Sequence, residues 1–489
     1  MNLSTIVAAL EKHGQVATRP ASLPEITGVT EDSRRVSAGV LFCAVSGSAQ
    51  DGHRYLADAH RRGAAAALVT RPTDLPLPQV VVKDSRVAVA LAAAEWFGRP
   101  AERLTVIGVT GTNGKSTTVA LIRHLMNEEE GAASIGTVGA FDGKGVELPD
   151  GAGLTTPGAV ELQANLGELV RRGTRTVVME ASSHALDQRR LTGLSLAAGV
   201  YTNLTHDHLD YHGDLSAYFA AKALLSSLIR DGGVEAVNAD DRAWSGLERS
   251  SRLRRLTYGT AAGADLRATD VTLTSQSSRF TLAVGAKRVP VSLPLVGEFN
   301  VSNALAAAAA VTGLGRTPES VAARLGSAPQ VPGRVERIVS EPFSVLRDYA
   351  HTPDALARAI SALKPLTRGR LIVLFGAGGD RDRTKRPVMG GIAAKGADVA
   401  IVTSDNPRTE DPDRIIDEIE AGMEGTAHVR LTDRREAIRR ALAMAQPGDC
   451  ILLAGKGHET YQVIGTEKRP FDERVIVLEE MGRMRAGAT

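Results

Sequence analysis

The sequence predicts an α/β protein of three domains with largely parallel sheets. Three observations carry this. Short runs of Val, Ile and Leu alternate repeatedly with alanine-rich amphipathic segments, the pattern of layered strands and helices. Aromatic residues make up only 4% of the chain while glycine occurs 49 times, which suits close packing of helix on sheet. The 489 residues exceed one ordinary core, and at about 150 residues per domain they suggest three.

Bulk properties exclude several classes. The 58 basic and 56 acidic residues leave a formal charge of +2, so general affinity for nucleic acid or membrane surfaces has no support and anionic partners must be bound locally. Cys43 and Cys450 are too few for a disulfide framework and too far apart for a metal-binding pair. No apolar run approaches the roughly 18–20 residues that span a bilayer, and Met1 to Leu10 carry no leading positive charge. A cytoplasmic protein without membrane insertion is expected.

In residues 1–102, Gly39 to Val45, Ala64 to Thr70 and Gln79 to Val82 read as strands. Helices are expected around Leu56 to Arg62 and Arg86 to Phe97, with Gly63 ending the first. The polar turns holding Ser33, Arg34 and Asp51 read first as turn chemistry.

Residues 103–332 open with the apolar run Leu104 to Val109, followed by Val109-Thr110-Gly111-Thr112-Asn113-Gly114-Lys115-Ser116-Thr117-Thr118 and a helical pattern to Met126. This is a strand, a glycine-rich turn and a helix. Backbone N–H groups of such a turn and the positive helix end can wrap a triphosphate, with Lys115 reaching its outer phosphates and Ser116 ligating magnesium. The spacing departs from the usual Walker A motif, because its first glycine would fall at Val109.

Thr155 and Thr156 lie in a loop before a helix over 158–172, and Thr176 to Glu180 is a buried strand ending in a carboxylate. In open parallel sheets ligands gather at strand carboxyl ends, where Glu180 and the phosphate loop both belong. The strand Gly199 to Asn203 opens into a dense His and Asp cluster from His206 to His212. Oxygen-rich surroundings without thiolates suit magnesium better than zinc. Lys222 sits on an apolar helical pattern, where it reads as a snorkelling lysine or as a buried amine able to take up carbon dioxide. Asn300 reads as the cap of a helix over 304–312, and Asn303 either faces solvent or meets a base edge.

Residues 333–489 begin at a hinge, Pro332-Gly333-Arg334. Strands ending at Asp348, at Phe375 and at Thr403, together with Cys450 to Ala454, lead into polar turns that share one sheet rim. This rim would unite Arg381, Arg408 and Glu459, two guanidiniums and a carboxylate able to receive a zwitterionic amino acid.

Taken together, in order from Asp32-Ser33-Arg34 to Gly455-Lys456-Gly457-His458-Glu459, these stretches resemble the Mur ligases, ATP-dependent amide-forming enzymes that assemble the peptidoglycan stem peptide. The resemblance is nearest to the branch that adds diaminopimelate as the third residue, and it implies a small N-terminal UDP-sugar domain, a central P-loop ATPase domain and a C-terminal Rossmann-like domain. It implies Ser33 on the UDP moiety with Ser48-Ala49-Gln50 beside it, and Thr155, Thr156, Ser182, Gln188 and Arg190 on the muramoyl peptide. ATP would lie on Gly111, Thr112, Asn113, Gly114, Lys115, Ser116 and Thr117, with Asn303, Arg334 and Asp348 on the nucleotide.

By the same resemblance Ser116, Glu180, His208 and Lys222 would hold magnesium, Lys222 as its carbamate (N6-carboxylysine), and Lys115, Glu180, His208 and Lys222 form the catalytic set. Arg381, the run Asp405-Asn406-Pro407-Arg408, Gly455 and Glu459 match the diaminopimelate site. Arg408 discriminates, because lysine has no second carboxylate to pair with it. Ser116 departs from the Thr of many relatives but keeps the hydroxyl. The expected reaction joins meso-diaminopimelate to a UDP-muramoyl dipeptide through an acyl phosphate, in a monomer acting on small molecules and closing about the 332–334 hinge. A folate-polyglutamate ligase would not need the N-terminal unit or the Asp405 to Arg408 run. A non-catalytic nucleotide-binding regulator would not need Glu180, His208 and Lys222 together.

Overall fold

A computed structural model describes residues 1–47, 50–127, 131–149 and 154–486. The chain divides into two compact units, one of Met1–Ala268 with Leu282–Arg288 and Ser302–Val321, the other of Thr269–Thr281, Val289–Val301 and Ala322–Thr489. Residues 1–102 and the bulk of 103–332 thus share the first unit, each with its own sheet.

The N-terminal sheet runs in the order Val16–Thr18, Gln79–Val82, Ala66–Val69, Val40–Cys43, Gly28–Thr30. All neighbours are parallel except the edge strand Val16–Thr18. Val40–Cys43 and Ala66–Val69 are buried throughout, which is why they appear in the sequence as continuous apolar runs. The expected helices form over Leu56–Arg61 and Ser85–Trp96. The latter starts where the Asp84 carboxylate accepts the Arg86 and Val87 N–H groups at 2.8 and 3.2 Å.

In the central sheet, strand Thr105–Thr110 lies between Thr176–Glu180 and Leu196–Tyr201, parallel to both. Ala132–Gly136 continues the sheet beyond Thr176–Glu180, while Ile229–Asn238 and Arg254–Gly259 continue it beyond Leu196–Tyr201. The helix after the phosphate loop spans Lys115–Met126, and helix Ala159–Arg171 packs below, its Ala159 joining the N-terminal core beside Leu3, Ile6 and Leu91. Strands form over Leu266–Leu273, Ser278–Val284 and Lys287–Leu293, and Leu266 and Arg267 pair in parallel with Tyr258 and Gly259. Asn300 is not a cap. The helix begins at Glu298, so Asn300 lies in its first turn and its amide donates to the Val296 carbonyl at 2.9 Å.

The second unit carries a sheet ordered Glu336–Val339, Ser344–Asp348, Cys450–Ala454, Leu371–Phe375, Val399–Val402, Val429–Arg430. Only the first pair is antiparallel. The turns after Asp348, Phe375, Val402 and Ala454 therefore share one rim. Two of them are tied from beneath by Arg434, a fully buried guanidinium that donates to the Ala454 carbonyl at 2.8 Å and the Ser404 carbonyl at 3.3 Å. Its charge is matched by the equally buried Glu473, at 2.8 Å. Among the described residues no helix is long and apolar enough to cross a membrane.

Removing one member of such a pair strands a buried charge. Arg434→Met is expected to destabilise the protein by about 3–5 kcal/mol, read as a lower denaturant midpoint in urea unfolding.

Candidate functional site

The phosphate loop is shaped by the strand beside it. Gly111 has φ of 145°, and a Cβ there would lie 1.8 Å from Thr202 Oγ1, so the loop passes too close to its neighbour for any side chain. Asn203 accepts the Thr112 N–H through its carbonyl at 2.7 Å and the Asn113 N–H through Oδ1 at 2.9 Å. Thr202 Oγ1 and Asn203 Nδ2 both donate to the Asn113 carbonyl, at 2.7 and 3.1 Å. Gly114 is left-handed at the helix start, and the Asn303 amide fills the space where its Cβ would be.

Two ammonium groups converge on this loop. Lys115 Nζ donates to the carbonyls of Gly111 at 3.0 Å and Thr112 at 2.8 Å. Lys222 Nζ donates to the same Gly111 carbonyl at 2.8 Å, from a side chain that is almost wholly buried. Burial, then the nearby charge of Lys115, holds the Lys222 amine well below the ordinary lysine range. Its ammonium sits 4.4 Å from the centre of the Tyr218 ring, and the His208 ring lies 6.3 Å from that same centre.

His208 occupies a left-handed backbone position and meets His184 edge to face at 4.7 Å. His184 is lowered to about 4, by burial first and then by His208 and His212, so it is neutral near pH 7. Burial likewise lowers His208. A neutral imidazole is the form that can ligate a metal.

On the other side of the loop Ser116 Oγ donates to Glu180 Oε1 at 2.8 Å. Thr137 completes the carboxylate's surroundings, donating from its N–H to Oε1 at 2.9 Å and from its hydroxyl to Oε2 at 3.2 Å. The Thr137 hydroxyl also reaches Thr155 at 3.1 Å. Thr156 Oγ1 donates to the Glu180 carbonyl at 2.7 Å and accepts the Ser182 N–H at 3.0 Å. Arg190 donates to the Thr156 carbonyl at 2.9 Å and to Gln188 Oε1 at 3.0 Å. One hydrogen-bonded network thus runs from the loop hydroxyl to Arg190.

Sequence reasoning did not single out Thr137. It lies 43 residues from Glu180, and only the pairing of Ala132–Gly136 with Thr176–Glu180 brings them together. Among the described residues no three His, Cys, Asp or Glu side chains gather as a metal cage. The Ser116 hydroxyl on a buried carboxylate nevertheless offers the oxygen donors that magnesium takes, usually alongside water and substrate phosphates.

Ser33 begins a short helical turn capped by Asp32, whose carboxylate accepts the Arg34 N–H at 2.9 Å. Ser48 and Ala49 lie outside the described residues, while Gln50 accepts the Tyr55 hydroxyl at 2.7 Å.

In the second unit the rim gathers the residues the sequence separates. A Cβ on Gly378 would lie 2.9 Å from the Arg408 guanidinium, 3.8 Å from Arg381 Cγ and 3.9 Å from the Asn406 carbonyl. Asn406 Nδ2 donates to Glu459 Oε2 at 2.9 Å. Asp405 Oδ2 is buried without a hydrogen-bond partner among the described residues, 2.5 Å from where a Cβ on Gly455 would be. Asp348 accepts the Val335 N–H at 2.7 Å and the Ala350 N–H at 2.9 Å, burial raising its carboxyl, and the Arg334 guanidinium stacks 5.0 Å from the Tyr349 ring centre.

The sequence matches the Mur ligase middle domain over residues 109–311, the Mur ligase glutamate ligase domain over 333–457 and the Mur ligase family catalytic domain over 25–104. It is 43% identical over 469 residues to the UDP-N-acetylmuramoyl-L-alanyl-D-glutamate--2,6-diaminopimelate ligase of Gloeobacter violaceus, covering 94% of this chain and 95% of the relative. The ligase of the same name from Solibacter usitatus is 44% identical over 489 residues, with 98% of each chain covered. A solved structure of a ligase of that name superposes with a TM-score of 0.69 at 34% identity, over 94% of this chain and 95% of the other. By its sequence and its fold alike, the chain belongs to the Mur ligase family.

Proposed function

We propose that this chain is an ATP-dependent amide ligase of peptidoglycan synthesis. It joins meso-2,6-diaminopimelate to the D-glutamate side-chain carboxylate of UDP-N-acetylmuramoyl-L-alanyl-D-glutamate and releases ADP and phosphate. We divide it into a UDP-sugar domain over 1–102, an ATP domain over 103–332 and an amino-acid domain over 333–489, acting as a cytoplasmic monomer. The observation that carries the reading is the hydrogen-bonded network from Ser116 through Glu180 and Thr137 to Thr155, with Thr156, Ser182 and Arg190 adjoining. It links residues suited to ATP with residues suited to the acyl acceptor.

The chemistry follows from placement. Backbone N–H groups from Gly111 to Thr117 cradle the phosphates, and Lys115 exchanges the loop carbonyls for the outer phosphate oxygens. Asn303, Arg334 and Asp348 serve the nucleotide, and Ser33 the UDP moiety. Thr155, Thr156, Ser182, Gln188 and Arg190 hold the muramoyl dipeptide.

Ser116, Glu180, His208 and carbamylated Lys222 would hold magnesium, which when bound neutralises charge on the transferring phosphoryl group. The carboxylate oxygen takes the γ-phosphoryl group as the bond to the β-phosphate oxygen breaks, giving ADP and an acyl phosphate. Arg381 and Arg408 grip carboxylate of diaminopimelate, with Asp405, Asn406, Pro407, Gly455 and Glu459 completing the pocket. The free amine attacks the acyl carbon, its proton passes to solvent, and phosphate leaves the tetrahedral intermediate.

The buried Lys222 amine suits carbamate formation, because carbon dioxide adds to a neutral amine and the displaced proton leaves to solvent. Burial and Lys115 lower the pH at which that neutral form appears.

Three outcomes are expected. Phosphate release from ATP with the UDP-linked dipeptide should require meso-diaminopimelate, with LL-diaminopimelate poorer and L-lysine silent, and product mass should show the tripeptide; turnover with lysine would sink the pocket assignment. Arg408→Ala should raise KM for diaminopimelate about 10- to 100-fold while KM for ATP holds. Depleting dissolved carbon dioxide should lower activity and bicarbonate should restore it. The restored fraction should shrink as pH falls through the lowered Lys222 range, and no labelled carbamate should form on Lys222→Ala.

A further inference from the structure

Lys456 follows strand Cys450–Ala454 and is fully buried, yet the reaction as described gives it nothing to do. A buried ammonium needs anionic or strongly polar partners. Lys456 Nζ has two, donating to Asn406 Oδ1 at 3.0 Å and to Glu459 Oε2 at 3.1 Å, with the Tyr461 ring centre at 6.0 Å.

The consequence lies in the geometry of those partners. Asn406 Oδ1 also accepts the Val463 N–H at 2.9 Å. With two donors facing it, that end of the amide must be the oxygen, so the NH₂ end must face Glu459, where it donates to Oε2 at 2.9 Å. Glu459 Oε2 therefore receives two donors, from Asn406 and Lys456. Its other oxygen takes no hydrogen bond among the described residues and stays open to a ligand's ammonium group. Without the lysine the amide oxygen keeps only the Val463 N–H as donor, and the carboxylate loses its counter-charge and one of its two anchors.

We propose that Lys456 is a positioning residue for the amino-acid pocket, its buried ammonium locking Asn406 and Glu459 so that one Glu459 oxygen is presented to the ammonium of the incoming amino acid. This rests on the amide-ligase reading above. It separates a group that touches the amino acid, Glu459, from the group beneath that aims it.

The test is steady-state kinetics of the full chain carrying Lys456→Met, which keeps most of the length of the side chain and removes its charge. KM for diaminopimelate should rise about 10- to 100-fold, KM for ATP and for the UDP-linked dipeptide should stay within about twofold, and kcat should change less than that KM. Lys456→Gln, which retains a donor of shorter reach, should fall between the two. An unchanged KM for diaminopimelate would overturn the proposal. So would an equal loss for all three substrates, or failure of both variants to fold, since either makes Lys456 a structural residue only. The unsubstituted protein is the control that separates the two ideas, because absence of turnover with diaminopimelate there removes the functional reading and this inference with it.

Discussion

The parallel register of strand Thr105–Thr110 against its two neighbours is the constraint on which the rest of the first unit's site depends. Val109 pairs with Glu180 on one side and Val200 on the other, and Thr110 pairs with Tyr201. That register sets the Glu180 carboxylate against Ser116 and delivers Thr202 and Asn203 to the flank of the loop. A slip of one residue would turn each of these side chains to the opposite face of the sheet. The absence of a side chain at Gly111 is the local counterpart of that global fit.

Buried basic side chains recur as organisers. Lys222 reaches the loop's Gly111 carbonyl, Arg434 binds two rim turns from below, and Lys456 fixes an amide and a carboxylate. Arg386, also fully buried, joins Glu410 and Glu418 and reaches the Gly378 carbonyl at 3.3 Å, so the turn after Phe375 that leads to Arg381 has its own tie. For the two arginines a charge that is costly to bury is matched by carbonyls and carboxylates of other segments. Turns that would otherwise fluctuate are held in one arrangement.

Much of this was legible in the sequence. Buried parallel strands appear as continuous Val, Ile and Leu runs, and strands Gln79–Val82, Thr176–Glu180 and Cys450–Ala454 lie where those runs fall. The loop from Gly111 to Thr117 declares itself through local glycine and lysine spacing. Thr137 could not be found that way, because its role is created by strand pairing. Asn300 misled because a capping residue and a first-turn residue share the same side-chain chemistry, and only the helix start at Glu298 separates them. Lys456 stood in plain view between two glycines, but a lysine in a polar turn reads as solvated until the fold shows it buried.

The rim of the second unit has a further implication. The groups around Gly378 and Glu459 come from turns that follow three separate strands, while the strands themselves spend their side chains on the two cores beneath. Recognition and folding are thus written in different residues. If the rim receives an amino acid as proposed, exchanging the turn that carries Arg408 would retune which one is accepted without rebuilding the sheet, so a scaffold of this kind can diversify its acceptor while its phosphate-handling loop stays fixed in the other unit.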